Sequence, residues 1–100
     1  MMNLIMLIGR MSGDIETIKI NEKECNIFKL AVSRYFKNEN GEYDIDEFPI
    51  VLWEGIANNV KEDCHNGDTM GVKGRLQTRD GNIEIIAEKV SFLQSKKSEE

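Results

Sequence analysis

The stretch GVKGRLQTRDGNIEII, residues 71–86, decides how the whole sequence is interpreted. Side chains alternate between the two faces of a β-strand. A strand is predicted over residues 70–78. One of its faces, continued to the residue after the strand, carries cations and an amide: Lys73, Arg75, Gln77 and Arg79. The other face carries apolar or small residues: Val72, Gly74, Leu76 and Thr78. The pattern predicts a half-buried strand with a ladder of positive charge on its exposed side, which suits the phosphate backbone of a nucleic acid.

A tight turn and a second strand follow this ladder. Asp80-Gly81 predicts the turn, and residues 83–93 return as the last strand of the chain. Within that strand the apolar alternation changes phase between Ala87 and Val90. We therefore expect a bulge near Glu88.

Three strands are predicted ahead of the ladder, over residues 3–11, 26–36 and 45–53. Gly9 predicts a kink or bulge in the first strand, which continues through residues 15–20 after a turn at Ser12-Gly13-Asp14. Asn40-Gly41 marks the hairpin between the second and third strands. Pro49 has no amide donor, so it predicts an edge position or a bulge.

Residues 54–66 change from strand to helix periodicity. Ile56, Val60 and Cys64 fall at i, i+4 and i+8, and Gly67 is the expected C-terminal stop. The order is therefore three strands, one helix and two strands. It predicts an all-β fold, the five-stranded OB-fold barrel with one short α-helix between strands 3 and 4.

One hundred residues predict a single domain over residues 1–94, with a disordered polar tail over residues 95–100. A domain this small buries a modest fraction of its surface, so we expect oligomerisation to help. The opening MMNLIMLIG is too short to span a bilayer and has no charged leader. We therefore expect an intracellular protein with no membrane partner.

The net charge of −5 argues against nucleic acid only if the charge is evenly spread. Residues 25–38 and 69–79 contain bases and no acid, whereas residues 39–47 contain five acids and no base. By charge alone, this segregation fits basic binding strands and an ordinary solvated surface equally well.

The sequence offers no catalytic constellation. His65 is the only histidine, and its adjacency to Cys64 is not a zinc-ligand spacing. We find no Ser-His-Asp set, metal cluster or phosphate loop motif. We therefore expect no enzyme, no cofactor, no metal and no small-molecule substrate.

Five segments, in order, resemble the bacterial and phage single-stranded DNA-binding protein family: MNLIMLIGRMSGD, FKLAVSRYFKNENGEYD, FPIVLWEGIANNV, GVKGRLQTRDG and AEKVSFL. The resemblance covers residues 2–93. It implies an OB barrel that forms a homo-oligomer, a tetramer rather than a dimer. It also implies that the protein coats single-stranded DNA without sequence specificity in replication, recombination and repair. Its place would be the bacterial cytoplasm or a phage-infected host, at the nucleoid.

The resemblance also implies the residues that would bind single-stranded DNA. Aromatic side chains would stack on bases: Trp53, Phe36 and Phe48. Basic side chains would follow the phosphates: Arg10, Lys29, Arg34, Lys73, Arg75 and Arg79. Phe48 and Trp53 are five residues apart and so opposite in parity; either a bulge at Pro49 realigns them or Phe48 belongs to the core.

The loop between strands 4 and 5 is reduced to Asp80-Gly81-Asn82, so we expect a shorter DNA footprint and weaker binding than in the family. The family's acidic C-terminal tip does not match the end of this sequence, so the resemblance does not carry over partner recruitment by that route. The short loop and the acidic net charge leave an alternative open. The alternative is an OB-fold accessory or interaction subunit, primosome-like or phage-derived, with weak DNA affinity.

Overall fold

The computed structural model describes residues 1–95 and has five strands and one helix. The elements are β1 Ile5–Ile20, β2 Lys23–Lys37, β3 Tyr43–Leu52, α1 Glu54–Asp63, β4 Thr69–Arg79 and β5 Asn82–Gln94. The strands close into a barrel in the order β1-β2-β3-β5-β4, with β4 pairing back to β1. All neighbours are antiparallel except β3 and β5. The predicted OB-fold barrel with a helix between strands 3 and 4 is confirmed.

Alternate residues of the strands fill the barrel interior, as the period-2 pattern predicts. The buried side chains come in pairs spaced two apart on β2, β3, β4 and β5: Phe28 and Leu30, Ile50 and Leu52, Met70 and Val72, Ile85 and Ala87. Helix α1 covers one end of the barrel and buries Ala57 and Val60 in the same cluster. The interior is therefore one continuous hydrophobic core that holds all five strands and the helix.

A second, smaller cluster lies on the outer face of the sheet. Cys25, Val51 and Ile86 are almost fully buried there, and Trp53 packs against them. Register places Val51 directly opposite Ile86, so the cluster spans β2, β3 and β5. The outer face is thus apolar at the end of β3 where the helix begins.

Helix α1 is shorter than predicted. It ends at Asp63, and Cys64 adopts an extended backbone while its N–H donates to the Val60 carbonyl at 2.9 Å. This turn buries the Cys64 thiol, and His65 is exposed. Gly67 does not stop the helix; with a φ of 91° it donates its N–H to the Met11 carbonyl and starts the approach to β4.

Strand β1 is continuous where the sequence predicted two segments joined by a turn. The chain bulges between Ser12 and Glu16, where Gly13 has a φ of 82°, and the pairing with β2 then resumes. Asn21 and Glu22, both with positive φ, form the two-residue turn between β1 and β2. A local irregularity therefore replaces the predicted turn at residues 12–14.

Three local predictions are confirmed. Pro49 lies in the part of β3 that pairs with β2 only, because β5 pairs with β3 at Ile50 and Val51. Asp80 and Gly81, with φ of 50° and 83°, form the turn between β4 and β5. The β4–β5 register shifts so that Glu88 is the extra residue of a bulge.

Within residues 1–95, no helix is long and apolar enough to cross a membrane. Of the polar tail predicted over residues 95–100, only Ser95 falls within the described part of the chain.

Two glycines allow strands to approach one another closely. A Cβ at Gly9 would collide with the carbonyl oxygen of Ala31, and one at Gly74 with the carbonyl oxygen of Ile86. Backbone atoms on the opposing strand cannot move aside without breaking the ladder. Gly9 therefore serves a close backbone contact, and this replaces the kink or bulge predicted for it.

We expect Gly74→Ala to destabilise the protein by at least about 2 kcal/mol, because the added methyl overpacks against backbone. The midpoint of thermal unfolding should fall by roughly 8 °C or more. Gly55→Ala is the matched control, since a Cβ there meets nothing within 4 Å and alanine favours the helix by up to about 1 kcal/mol. Equal midpoints for the two variants would contradict the close contact.

Candidate nucleic-acid interface

The outer face of β1, β2 and β3 carries two of the predicted basic residues. Lys29 lies opposite Ser12 of β1 and opposite Pro49 of β3, and Arg10 lies opposite Ala31. Both basic side chains are exposed. The structure therefore brings Lys29 and Arg10 onto one surface, as predicted for a backbone path.

One end of this surface is a group of exposed aromatic side chains with a cation, which we call the aromatic tip: Tyr35, Phe36, Lys37 and Tyr43. Tyr35 is 94% exposed, and its ring meets Phe36 edge-on with centroids 5.4 Å apart. The Lys37 ammonium lies 5.8 Å from the centre of the Tyr43 ring. The tip thus presents several π faces to solvent.

The sequence predicts Phe36 as a site residue but not Tyr35 or Tyr43. The signal was present in the segment Arg34-Tyr35-Phe36-Lys37, where aromatic and basic residues interleave. Alternation along a regular strand puts neighbouring side chains on opposite faces. The β2–β3 register shifts between Ser33 and Lys37, so both neighbouring rings are exposed there.

Trp53 lies at the opposite end of the β2–β3 hairpin. It follows Leu52, which pairs with Asn26, whereas Phe36 lies ten residues further along β2. At about 3.3 Å per residue, the two aromatic residues are about 33 Å apart along the strand. The structure therefore does not bring the two predicted stacking residues together but places them at the two ends of one surface.

Backbone hydrogen bonds to helix α1 fix the position of Trp53. Its carbonyl accepts hydrogen bonds from the N–H groups of Ile56 and Ala57, both at 3.0 Å, as the residue before helix α1. Its half-buried side chain packs on the outer cluster of Cys25, Val51 and Ile86. The indole is thus fixed at the junction of β3 and the helix.

Phe48 packs against the barrel interior. It lies two residues before Ile50 on the same face, and its partly buried ring contacts the interior cluster. The β2–β3 register runs without a shift from Leu52 to Ile45, so no bulge at Pro49 realigns Phe48 with Trp53. Of the two alternatives for Phe48, the structure therefore favours the core.

The predicted ladder on β4 differs from expectation in its exposure. Val72 and Gly74 are buried as predicted, but Leu76 and Thr78 are exposed. Strand β4 pairs with β1 only as far as Gly74, and beyond it the Leu76 and Thr78 side chains on the face opposite the ladder reach solvent. The side chain of Arg79 is only 25% exposed.

Carboxylates of β5 neutralise the two arginines of the ladder. The Arg75 guanidinium lies 3.2 Å from the Glu88 carboxylate, and that of Arg79 lies 2.8 Å from Glu84. Residues 69–79 contain no acid, but strand pairing supplies one from the next strand. The positive charge of Arg75 and Arg79 is therefore compensated by carboxylates of the neighbouring strand.

Arg34 is neutralised in the same way from β3. Its guanidinium donates two hydrogen bonds to the Asp46 carboxylate, at 3.0 and 2.9 Å, and lies 3.6 Å from Asp44. The hydrogen bond from Arg34 lowers the pKa of the Asp46 carboxyl below its usual value. The two hydrogen bonds hold the Arg34 guanidinium against β3.

Lys73 differs from Arg75 and Arg79 because no carboxylate among the described residues pairs with it. It is exposed on the outer face of β4, directly opposite Met6 of β1 and Lys89 of β5. Neither lysine forms an ion pair within the described part of the chain. A role of Lys73 in binding stays a prediction.

Arg79 and Trp53 border the same cluster. Burial raises the pKa of the Cys25 thiol, and the charges of Arg79 and Glu84 act on that pKa in opposite directions. The Arg79–Glu84 pair therefore lies beside the cluster on which Trp53 packs.

A model of the single-strand binding protein family matches residues 2–93. The chain belongs to this family. It is 42% identical to Single-stranded DNA-binding protein 1 of Clostridium acetobutylicum, over 96% of this chain and 97% of that protein. It is 39% identical to Single-stranded DNA-binding protein 3 of Listeria innocua, over 98% of this chain and 68% of that protein.

Solved structures of the family share the fold. A Plasmodium falciparum SSB in complex with single-stranded DNA superposes with a TM-score of 0.74 at 24% identity, covering 94% of this chain and 96% of that one. A small single-stranded DNA-binding protein from Streptomyces coelicolor gives a TM-score of 0.71 at 20% identity, covering 93% and 95%. At these identities the likeness bears on the barrel alone.

Proposed function

We propose that the protein binds and coats single-stranded DNA without sequence specificity and without catalysis. The observation that carries the proposal is the outer face of β2 and β3, which has exposed aromatic rings at one end and Trp53 at the other. Lys29 and Arg10 lie between them. OB folds bind oligonucleotides on this face, and the family membership supports the same use here.

The physical roles follow from the side chains. Every base has a π face, so stacking on Phe36, Tyr35 or Trp53 binds any sequence and contributes about 1–3 kcal/mol per base. Lys29 and Arg10 contact phosphates and release counterions, so affinity falls as salt rises. Neither role needs a cofactor.

The relatives in Clostridium and Listeria support a bacterial setting. We therefore place the protein in the bacterial cytoplasm or a phage-infected cell, at DNA exposed by replication, recombination or repair.

Oligo(dT) should quench the fluorescence of Trp53, the only tryptophan of the chain, and the quenching should weaken with salt. Phe36→Ala should lower the affinity by about 1–3 kcal/mol through the loss of one stacking surface. Phe92→Ala is the matched control, because that ring is 47% exposed compared with 53% for Phe36 but lies on β5. Absence of quenching at low salt would overturn the proposed function. Equal losses in both variants would remove Phe36 from the site.

The arginine ion pairs favour a second candidate function, an accessory subunit with weak DNA affinity. Arg34, Arg75 and Arg79 each have a carboxylate within 3.2 Å, so a phosphate must compete for them. These pairs are at least partly exposed, and exposed ion pairs contribute little, about 0–1 kcal/mol. DNA can therefore displace them at a modest cost, which weakens binding but does not abolish it.

Glu88→Gln should strengthen oligo(dT) binding, because it releases Arg75 for a phosphate. The slope of log K against log salt should steepen by about 0.7 for the added contact. The double variant Arg75→Gln with Glu88→Gln should lose this gain. If Glu88→Gln strengthens binding equally with and without Arg75, the gain comes from net charge rather than from the released guanidinium.

We also propose a homo-oligomer, a tetramer rather than a dimer. Met6 and Ile8 lie on the outer face of β1 and are 69% and 64% exposed, beside the exposed Leu93 of β5. Leu76 and Ile83 form a separate exposed apolar pair on the β4–β5 hairpin. A tetramer needs two such contact faces on each subunit, whereas a dimer needs one.

Light scattering of the purified chain should give a mass of four subunits. Ile8→Glu should reduce it, because a charge would be buried in the contact. Ile45→Glu is the matched control, since Ile45 is also 64% exposed but lies on β3. A monomeric wild-type chain would contradict the oligomer.

A further inference from the structure

A polar groove of about 530 Å³ opens between the β1–β2 hairpin and helix α1. Trp53 forms part of its wall, where β3 leads into the helix. Thr17 and Asn26 contribute from the hairpin, and Asn58 from the helix. The groove therefore adjoins the Trp53 end of the proposed DNA surface and extends from it towards β1 and helix α1.

Two lysines lie on opposite sides of this groove. Lys23 comes from the start of β2 and Lys61 from the last turn of α1. Both are exposed, and neither forms an ion pair with a carboxylate among the described side chains. Glu24 also lines the groove. Lys23 and Lys61 therefore differ from the arginines of β2 and β4, because a phosphate need not displace a carboxylate to reach them.

We propose that this groove is a nucleotide subsite of the single-stranded DNA path. One base lies against the indole of Trp53, and Lys23 and Lys61 bind the phosphates on its two sides. An aromatic face flanked by cations is the arrangement that sites for single-stranded nucleic acid use. The DNA then leaves the β2–β3 surface at Trp53 and continues over helix α1.

The polar groups of the groove fit a base of any identity. Thr17 donates a hydrogen bond to the Asn26 side chain at 2.9 Å, which fixes that amide in place. Asn58 is exposed and offers both a donor and an acceptor. An amide can pair with the edge of any base, so the subsite adds affinity without demanding a sequence.

The inference rests on the proposed function, and its test separates the two. Oligo(dT) binding is measured by Trp53 fluorescence over a range of salt for the full chain and for Lys23→Gln with Lys61→Gln. Loss of two phosphate contacts to a single strand should reduce the slope of log K against log salt by about 1.4. Lys89→Gln is the matched control, since Lys89 is exposed but does not line the groove, and it should leave the slope unchanged.

The outcomes are distinct. Wild-type binding with an unchanged slope in the double variant overturns the subsite and leaves the proposed function standing. No binding by the wild-type chain overturns both. A slope change in Lys89→Gln half as large as that in the double variant would attribute the effect to the number of charges removed, which also overturns the subsite. Unfolding midpoints equal to wild type would show that the exposed lysines are not structural.

Discussion

Barrel closure depends on two points where strands cross with backbone in contact. Gly9 of β1 meets the Ala31 carbonyl of β2, and Gly74 of β4 meets the Ile86 carbonyl of β5. No side chain larger than hydrogen fits at either point. Closing the sheet there lets β4 pair back to β1, which leaves no open edge around the barrel body. In the closed barrel, the outer faces of β2 and β3 form one extended surface. Trp53 lies at one end of this surface and the aromatic tip at the other.

Sequence periodicity predicts this fold well because its determinants are local. Period-2 alternation, the Asp80-Gly81 turn and the phase change at Glu88 each require only neighbouring residues. The predicted helix end is wrong because Cys64 is buried by its packing in the interior cluster, which the local pattern does not show. The sequence pattern does not predict the arginine–carboxylate pairs for a related reason. Glu88 lies thirteen residues from Arg75 and Asp46 lies twelve from Arg34, and only strand register brings them together.

Charge segregated along the chain is therefore not segregated in space. The basic runs of β2 and β4 adopt cross-strand partners from the acidic run of β3 and from β5. An acidic protein can still bind a polyanion, but its cations then exchange a carboxylate for a phosphate. That exchange returns little Coulomb energy, because the arginine is paired before and after binding. What remains favourable is the release of counterions from the DNA and any hydrogen bond that phosphate makes better than carboxylate.

In the proposed binding mode, stacking is the term that decides affinity. A base on Tyr35, Phe36 or Trp53 would gain about 1–3 kcal/mol and displace only water. An arginine that trades Glu88 or Asp46 for a phosphate gains a fraction of that amount. The lysines differ from these arginines, since Lys29, Lys23 and Lys61 form no ion pairs with the described carboxylates. A single strand would therefore be held by aromatic contacts at the two ends of the hairpin, with lysine contacts between and beside them.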